Sequence, residues 1–320
     1  MRAAIVRGSG YVPFYGDFKE PKPFTDERRI AVMAAALSPI VRSRASGSHY
    51  SSSGEFPFVP GIDGVGRLDD GTRVYFVLPR APFGAMAERT VVSSAQCLAL
   101  PGELDDVTAA AIANPGMSSW AAYTERARLK EGETVLVNGA TGTAGRLAVQ
   151  IAKHLGARKV IATARNAAAL ASVASLGADV TIPLEESDAL EDRLKEQFAE
   201  GVDVVIDYLW GKSAELLLIA AAKSAPDAVP IRFVQIGSVS GADITLPSAV
   251  LRSSAIELMG SGIGSIPLDR LLGSIRALLE ATGTAGFKIA TNPIPLSEVE
   301  RAWPNDENRR RTVFMVREPT

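Results

Sequence analysis

Cysteine is almost missing from this chain: Cys97 is the single one in 320 residues. That excludes an intrachain disulfide and a four-thiolate zinc site. Histidine is nearly as scarce, with only His49 and His154. A catalytic zinc would need Cys97, His49 and a carboxylate to converge, so no metal site is expected. His154, in Ala152-Lys153-His154-Leu155-Gly156, falls near the end of an expected helix and reads as a solvated or dipole-facing group. Neither sign of charge is in excess: 34 Lys and Arg stand against 36 Asp and Glu. Bulk attraction to nucleic acid or anionic membranes is therefore not expected, and no basic stripe with interleaved aromatics appears. The run Arg309-Arg310-Arg311 reads as a solvated end. Long hydrophobic runs are missing too, so no segment is expected to span a bilayer. The amino-terminal run Ala3-Ala4-Ile5-Val6 is far shorter than a signal-peptide core, which predicts a cytoplasmic protein.

What is present is a globular composition, 47% hydrophobic and 22% charged, in a chain long enough for two domains. Residues 1 to about 115 carry short β-like runs broken by Gly and Pro, such as Arg73 to Leu78 and Glu88 to Val92. That spacing predicts a barrel or sandwich. Arg42 to Gly54 holds six serines and little apolar content, and reads as a mobile surface loop. From about 116 the pattern becomes strands alternating with helices. Strands are expected at Thr134–Val137, Lys159–Thr163, Val180–Ile182, Asp203–Asp207, Arg232–Ile236 and Ile256–Met259. Helices are expected at Arg146–Leu155, Ala167–Leu176 and Asp188–Phe198, the last with Leu190, Leu194 and Phe198 in one stripe. Such alternation calls for a parallel sheet covered on both faces.

The segment Val135-Leu136-Val137-Asn138-Gly139-Ala140-Thr141-Gly142-Thr143-Ala144-Gly145 leaves a strand and opens a helix, the context a dinucleotide fingerprint requires. Ala140 stands at the first glycine position of that fingerprint, and Gly142 and Gly145 at the second and third. Gly142 lets the backbone approach a diphosphate, and Gly145 lets helix and strand pack closely. The helix amino terminus offers its unpaired N–H groups and positive dipole end to the anion. One strand later comes Ala162-Thr163-Ala164-Arg165-Asn166. A site for NAD usually has an acid in that neighbourhood to hold the ribose hydroxyls. Here Arg165 is either a solvated surface arginine or a guanidinium for a 2′-phosphate, and the second reading predicts NADPH as the cofactor.

Taken together, these residues resemble the medium-chain dehydrogenase/reductase superfamily in its zinc-free, quinone oxidoreductase-like branch. Pro60-Gly61-Ile62-Asp63-Gly64-Val65-Gly66 matches the turn of the family's GroES-like barrel. Zinc-dependent relatives carry His-Glu where this chain has Ile62-Asp63. Asn114-Pro115-Gly116-Met117-Ser118-Ser119-Trp120 is similar to the entry into the cofactor domain. Ala148 to Lys153, Leu176-Gly177-Ala178-Asp179, Ile236-Gly237-Ser238 and Pro295 to Trp303 are also family-like. The resemblance implies an α/β protein: a Rossmann doubly wound parallel sheet at 116–266, and a GroES-like β-barrel made of 1–115 with 267–320. It carries cofactor contacts over to Ser118, Ala140, Thr141, Gly142, Thr143, Ala144, Gly145, Arg165, Asn166, Leu209, Gly237, Ser238, Val239, Gly262 and Ile263. It also implies a homodimer formed by pairing the strand near Ile256 to Met259. The chain departs from the family at Leu37 to Ser43, where Ser38, Val41 and Ser43 replace a common Asn, Asp and Tyr.

The implied activity is hydride transfer from NADPH to a small-molecule electron acceptor, a quinone or an α,β-unsaturated aldehyde or ketone. The cofactor carries the hard chemistry, while the protein positions and desolvates. Donors for developing charge are Ser43, Tyr50 or a backbone N–H. Two rivals remain. Tyr208-Leu209-Trp210-Gly211-Lys212 spells the Tyr-x-x-x-Lys of short-chain reductases, but it comes directly off a strand and Gly211 interrupts it. The other rival is a redox sensor or accessory protein that binds NADPH without turnover.

Overall fold

The computed structural model describes residues 1–48, 55–184, 188–305 and 310–316. The chain divides into two units, Met1–Asn114 with Arg276–Thr320, and Pro115–Ile275.

The first unit is β-rich. Strands β1 (Arg2–Ile5) and β2 (Phe14–Asp17) form an antiparallel pair. Then come β3 (Glu27–Ala36), helix α1 (Pro39–Ala45), β4 (Asp63–Arg67), β5 (Arg73–Val77), β6 (Arg89–Ser93) and β7 (Cys97–Ala99). The long β3 is the hub, pairing antiparallel with both β4 and β6. A register shift between Val32 and Ala34 bends it, as an extra residue in one strand does. Its outer half pairs with β6 and its inner half is buried. Ile30, Val32, Ala35, Val74, Phe76 and Phe314 are among the side chains of one shared core.

Helix α2 (Asp106–Ala121) follows, with a π-turn segment at Ala122–Ala127, and the second unit begins within α2. Strand β8 (Thr134–Asn138), helix α3 (Thr143–His154), β9 (Lys159–Ala164), α4 (Ala167–Ala174), β10 (Val180–Pro183), α5 (Asp188–Glu200), β11 (Val204–Asp207), α6 (Gly211–Ser224), β12 (Ile231–Gln235), α7 (Ser248–Arg252) and β13 (Ile256–Gly260) alternate. The six strands run in the order β10-β9-β8-β11-β12-β13, and every pairing is parallel. This is the doubly wound order, in which the chain reverses direction across the sheet between β8 and β11. Strands β8 and β11 are buried along their whole length, as central strands covered on both faces must be. Helix α8 (Leu268–Ala285) carries the chain back to the first unit, where β14 (Thr291–Pro295), helix α9 (Val299–Ala302) and β15 (Arg311–Met315) complete its sheet. No helix among the described residues is long and apolar enough to cross a membrane.

Two expectations need correction. Arg42 to Ala45 is the last turn of α1, not loop. Ser38 caps that helix, its Oγ accepting from the Val41 N–H at 3.4 Å, and Pro39 follows as its first residue, a pairing that starts helices. Residues 49–54 of the expected loop, Tyr50 among them, lie outside the described residues. Arg311 is not a solvated end either. It is 8% exposed in β15 and donates from Nη1 to the Leu37 carbonyl at 3.0 Å. Arg309 lies outside the described residues.

Candidate functional site

The parallel registers of the second unit set five residues in one row: Thr163 beside Asn138, Asn138 beside Asp207, Asp207 beside Gln235, and Gln235 beside Gly260. The predicted segments 139–145, 165–166, 209, 237–239 and 262–263 follow directly on this row. They leave the sheet at its carboxyl edge around the switch between β8 and β11, where open α/β sheets bind ligands.

The row is cross-braced by polar side chains buried at the strand ends. Thr163 Oγ1 donates to Asn138 Oδ1 at 2.7 Å. Asn138 Nδ2 donates to Asp207 Oδ1 at 2.8 Å and to Ser213 Oγ at 3.0 Å. Asp207 also accepts from the backbone N–H of Leu209 at 2.9 Å, and from that of Trp210 on both oxygens, at 3.2 and 3.1 Å. Burial pushes the Asp207 carboxyl above its usual range, against the pull of those N–H donors. The braced corner is under strain: Trp210 has φ 57 and ψ −155, a backbone state reserved almost entirely for glycine.

At the strand-to-helix corner, Gly139 has φ +92, so the tight turn belongs to Gly139 rather than to position 140. Ala140 is fully buried and its N–H is committed to the Thr163 carbonyl at 3.0 Å. A Cβ at Gly145 would lie 2.2 Å from the Gly139 carbonyl oxygen. Only glycine lets α3 sit so close to β8. A Cβ at Gly142 would meet only the Gly139 carbonyl oxygen, at 3.7 Å, an ordinary van der Waals contact. Gly142 is the N-cap of α3 and no side chain caps it. The N–H groups of Thr143, Ala144 and Gly145 form the first turn, where intrahelical acceptors are lacking. Bare first-turn N–H groups, an uncrowded glycine and a positive dipole end fit the diphosphate of a dinucleotide.

The other predicted residues are placed as follows. Thr141 is half-buried in the turn, and Arg165 and Asn166 are exposed beyond β9. The Asn166 side chain caps α4, accepting from the Ala169 N–H at 2.9 Å. Leu209 is buried and packs over Gly139. Gly237 lies so close to Tyr208 that a Cβ would be 2.7 Å from its carbonyl oxygen. Ser238 and Val239 are exposed. Gly262 donates its N–H to Ser265 Oγ at 2.8 Å, and Ile263 is exposed beside it. Ser118 Oγ donates to the Pro115 carbonyl at 2.8 Å. Ser43 belongs to the first unit, where its Oγ donates to the Ile40 carbonyl at 3.1 Å.

Sequence reasoning did not single out Asn138, Thr163, Asp207 or Ser119, and it named Tyr208 only in the rival Tyr-x-x-x-Lys reading. Ser119 Oγ lies 2.7 Å from Tyr208 Oη and 3.3 Å from the Ala144 carbonyl in the first turn of α3. Tyr208 is buried, its phenol pushed up to about 12 by desolvation. Lys212, the other half of the Tyr-x-x-x-Lys pattern, is exposed on α6 and pairs with Glu215 at 3.0 Å. The signal available in the sequence was a polar residue closing each of three apolar strands.

A parallel sheet with a dinucleotide corner at its switch point, in a chain whose two ends together make a β-rich unit, defines a nicotinamide-type oxidoreductase architecture. The chain belongs to the quinone oxidoreductase-like branch of the medium-chain dehydrogenase/reductase superfamily. Residues 144–280 match the family model described as zinc-binding dehydrogenase. A probable NADPH-dependent quinone reductase of Emericella nidulans is 31% identical, the match covering 99% of this chain and 100% of that protein. A 2-methylene-furan-3-one reductase of Solanum lycopersicum is 29% identical over 84% of this chain and 72% of its own length. Among solved structures, the quinone oxidoreductase of Thermus thermophilus, known also in complex with NADPH, superposes with a TM-score of 0.82 at 25% identity, covering 99% of this chain and 100% of that one. The chain is an oxidoreductase of this family.

No group of three His, Cys, Asp or Glu among the described residues is placed to hold a metal ion. Burial pushes the lone thiol, Cys97, up to about 11.

Proposed function

We propose that this protein is an NADPH-dependent reductase that passes hydride to a quinone or an α,β-unsaturated carbonyl compound without zinc. The observation that carries this reading is the corner at 139–145, with bare N–H groups just past Asn138 in the in-register row and Arg165 beyond the neighbouring strand. Bound reduced nicotinamide supplies a hydride, and with one proton this turns a quinone into a hydroquinone or an enone into a saturated ketone, leaving NADP⁺. The chain's own residues do the holding. The first turn of α3 takes the diphosphate, Arg165 the 2′-phosphate, and Leu209, Gly237, Ser238, Val239, Gly262 and Ile263 the wall beside the ribose and nicotinamide. For charge developing on the acceptor the proposed donors are Tyr50 and Ser43, the latter after it leaves the Ile40 carbonyl.

Isothermal calorimetry tests the cofactor assignment. Arg165→Ala is expected to weaken NADPH binding by about 1.5–3 kcal/mol, the value of a hydrogen bond to a charged group, and to leave NADH binding nearly unchanged. Equal losses for both would remove the phosphate role. NADPH oxidation against a panel of quinones, enals and simple ketones tests the reaction, and absence of turnover with all of them would sink it. We also propose a homodimer paired through β13. That strand has β12 on one side only, and it exposes Leu258. An open strand edge of this kind is a template for a second chain. Sedimentation equilibrium giving a monomer at micromolar concentration would exclude it.

A further inference from the structure

Buried hydroxyls tie α2 and its π-turn extension to α3, all within the second unit. Ser119 and Tyr123 stand four residues apart on one side of this seam. The Ala144 and Ala148 carbonyls of α3 stand four apart on the other. Ser119 Oγ reaches the first carbonyl at 3.3 Å, and Tyr123 Oη donates to the second at 3.0 Å. Residues four apart share a helix face, so the two bonds clasp successive turns of α3.

The bond nearer the helix start has a further member. Tyr208, just past β11, brings its Oη to 2.7 Å from Ser119 Oγ. The other partners of Ser119 settle which oxygen donates. Its single proton faces two carbonyls, Pro115 at 3.2 Å and Ala144 at 3.3 Å, and a carbonyl only accepts. The serine therefore gives its proton to the carbonyls and accepts from Tyr208. Ser119 is fully buried and Tyr208 nearly so, which leaves water little chance to compete. The Ala144 carbonyl shares one planar peptide with the Gly145 N–H. The Arg146 N–H already bonds back to the Gly142 carbonyl at 2.9 Å, whereas the Gly145 N–H, one residue earlier, points out of the helix start. A hydroxyl on the carbonyl fixes the tilt of that peptide and draws electron density from its N–H. Chained hydrogen bonds strengthen one another by roughly 10–30% per bond, and bonds to a charged acceptor are the strong ones.

We propose that Tyr208 and Ser119 are positioning residues for the cofactor diphosphate, acting through the Ala144–Gly145 peptide without touching the ligand. That a diphosphate occupies this turn rests on the reductase reading above; the hydroxyl relay itself does not. The Tyr208 backbone has a separate task, its carbonyl accepting from the Val239 N–H at 3.4 Å. Tyr208→Phe keeps that bond and the ring, and removes the hydroxyl alone.

The test compares Tyr208→Phe, Ser119→Ala, the double variant and Tyr123→Phe. Calorimetry measures NADPH and 2′-AMP, which has the adenosine and the 2′-phosphate but no diphosphate, and urea unfolding reports stability. Ser119→Ala is expected to weaken NADPH about tenfold and Tyr208→Phe about fivefold, through a weaker bond to a charged acceptor. Binding of 2′-AMP should stay within about twofold of the parent. The double variant is expected to match Ser119→Ala, because Tyr208 acts only through Ser119. Tyr123→Phe removes a similar bond one turn deeper, so it lowers stability and leaves NADPH within about twofold. If the parent binds NADPH and neither Tyr208→Phe nor Ser119→Ala weakens it beyond about twofold, the relay falls and the cofactor reading stands. If NADPH and 2′-AMP weaken in parallel, or Tyr123→Phe costs as much NADPH affinity, the hydroxyls only hold helices together and the relay falls. If the parent takes up neither NADPH nor NADH, the cofactor reading falls and the positioning role with it.

Discussion

Two buried aspartates, one in each unit, are solvated by the protein in opposite ways. Asp207 closes a central strand of the parallel sheet and accepts from Leu209, Trp210 and Asn138. Asp63 opens β4 of the β-rich unit and accepts a single 2.5 Å bond on Oδ2 from Tyr75 Oη, while Oδ1 has no partner among the described residues. Burial pushes both carboxyls upward, and it pushes Asp63 to about 6, against the Tyr75 hydrogen bond and the charge of Arg311. The difference tracks position. At the carboxyl edge of a parallel sheet the chain must turn, and the freed N–H groups of that turn are ready donors for a carboxylate. In an antiparallel sheet the neighbouring N–H groups are consumed by the ladder, so a buried carboxylate there has few donors left. The same residue type is thus a hub in one unit and a partly satisfied bracket in the other.

The sharpest way to break this comparison is to remove the hub. Asp207→Ala strands the N–H groups of Leu209 and Trp210 and the Asn138 amide, and leaves the strained Trp210 backbone without its clamp. The expected loss of stability is about 3–5 kcal/mol, from a desolvation penalty of roughly 1–3 kcal/mol per orphaned donor. Urea unfolding followed by far-ultraviolet circular dichroism measures it. Asp207→Asn keeps one acceptor for the Leu209 and Trp210 N–H groups and is expected to lose less than half as much. A loss under about 1 kcal/mol for Asp207→Ala, the low end of that penalty for even one donor, would show that the bracing is dispensable.

Within the cofactor unit, the glycine pair sharpens the same distinction between groups used for folding and groups left for a ligand. Gly145→Ala places a Cβ against the backbone of the turn, with no flexible neighbour to yield. It is expected to cost about 1–3 kcal/mol of stability, the scale of overpacking, with NADPH binding lost as well. Gly142→Ala meets ordinary van der Waals distance, so thermal stability is expected to stay within about 0.5 kcal/mol of the parent, while NADPH affinity falls at least tenfold. If both variants lose stability equally, Gly142 is a folding residue and the diphosphate assignment loses its main support.

How much of this was legible in the sequence follows the same division. The alternating strands and helices of the cofactor unit were readable because each strand is a short apolar run and the helix stripes repeat four apart, as at Leu190, Leu194 and Phe198. The corner was readable because Gly142 and Gly145 sit at fixed spacing after a strand. Gly139 was not, because a turn glycine one place early looks like any other glycine until its φ is known. The Asn138–Thr163–Asp207 bracing was hidden since its members come from three strands, and only the registers bring them side by side. Arg42 to Ala45 misled because a serine-rich, arginine-flanked stretch carries no helical stripe; the cap at Ser38 and Pro39 was the overlooked sign. Arg311 misled because three arginines in a row suggest solvent, whereas its place in β15 turns it inward.

The smallest predicted effect isolates Asp63. Its folded-state value of about 6 lies above the ~3.9 of an unfolded aspartate. Between those two values the folded chain holds more protons than the unfolded chain, so stability falls as pH rises through this window and is level above it. Moving from about pH 5 to about pH 7 is expected to remove roughly 1 kcal/mol through Asp63 alone. Carboxyls held low by ion pairs and backbone bonds, such as Glu27 beside Arg80 and Asp70 beside the Thr72 N–H, act the other way. Their stabilising effect is full above their unfolded values and is lost as pH falls from there through their lowered values, which overlaps this window only at its acid end. Asp63→Asn keeps the shape of the protonated acid and cannot ionise. Stability profiles of parent and variant across this range should therefore converge at the acid end and separate toward neutrality, with the variant the more stable at neutral pH. Subtraction removes every other titrating group, including Asp207, from the comparison. Parallel profiles would mean that Asp63 stays ionised throughout, held by Tyr75 and Arg311 more firmly than its single hydrogen bond suggests.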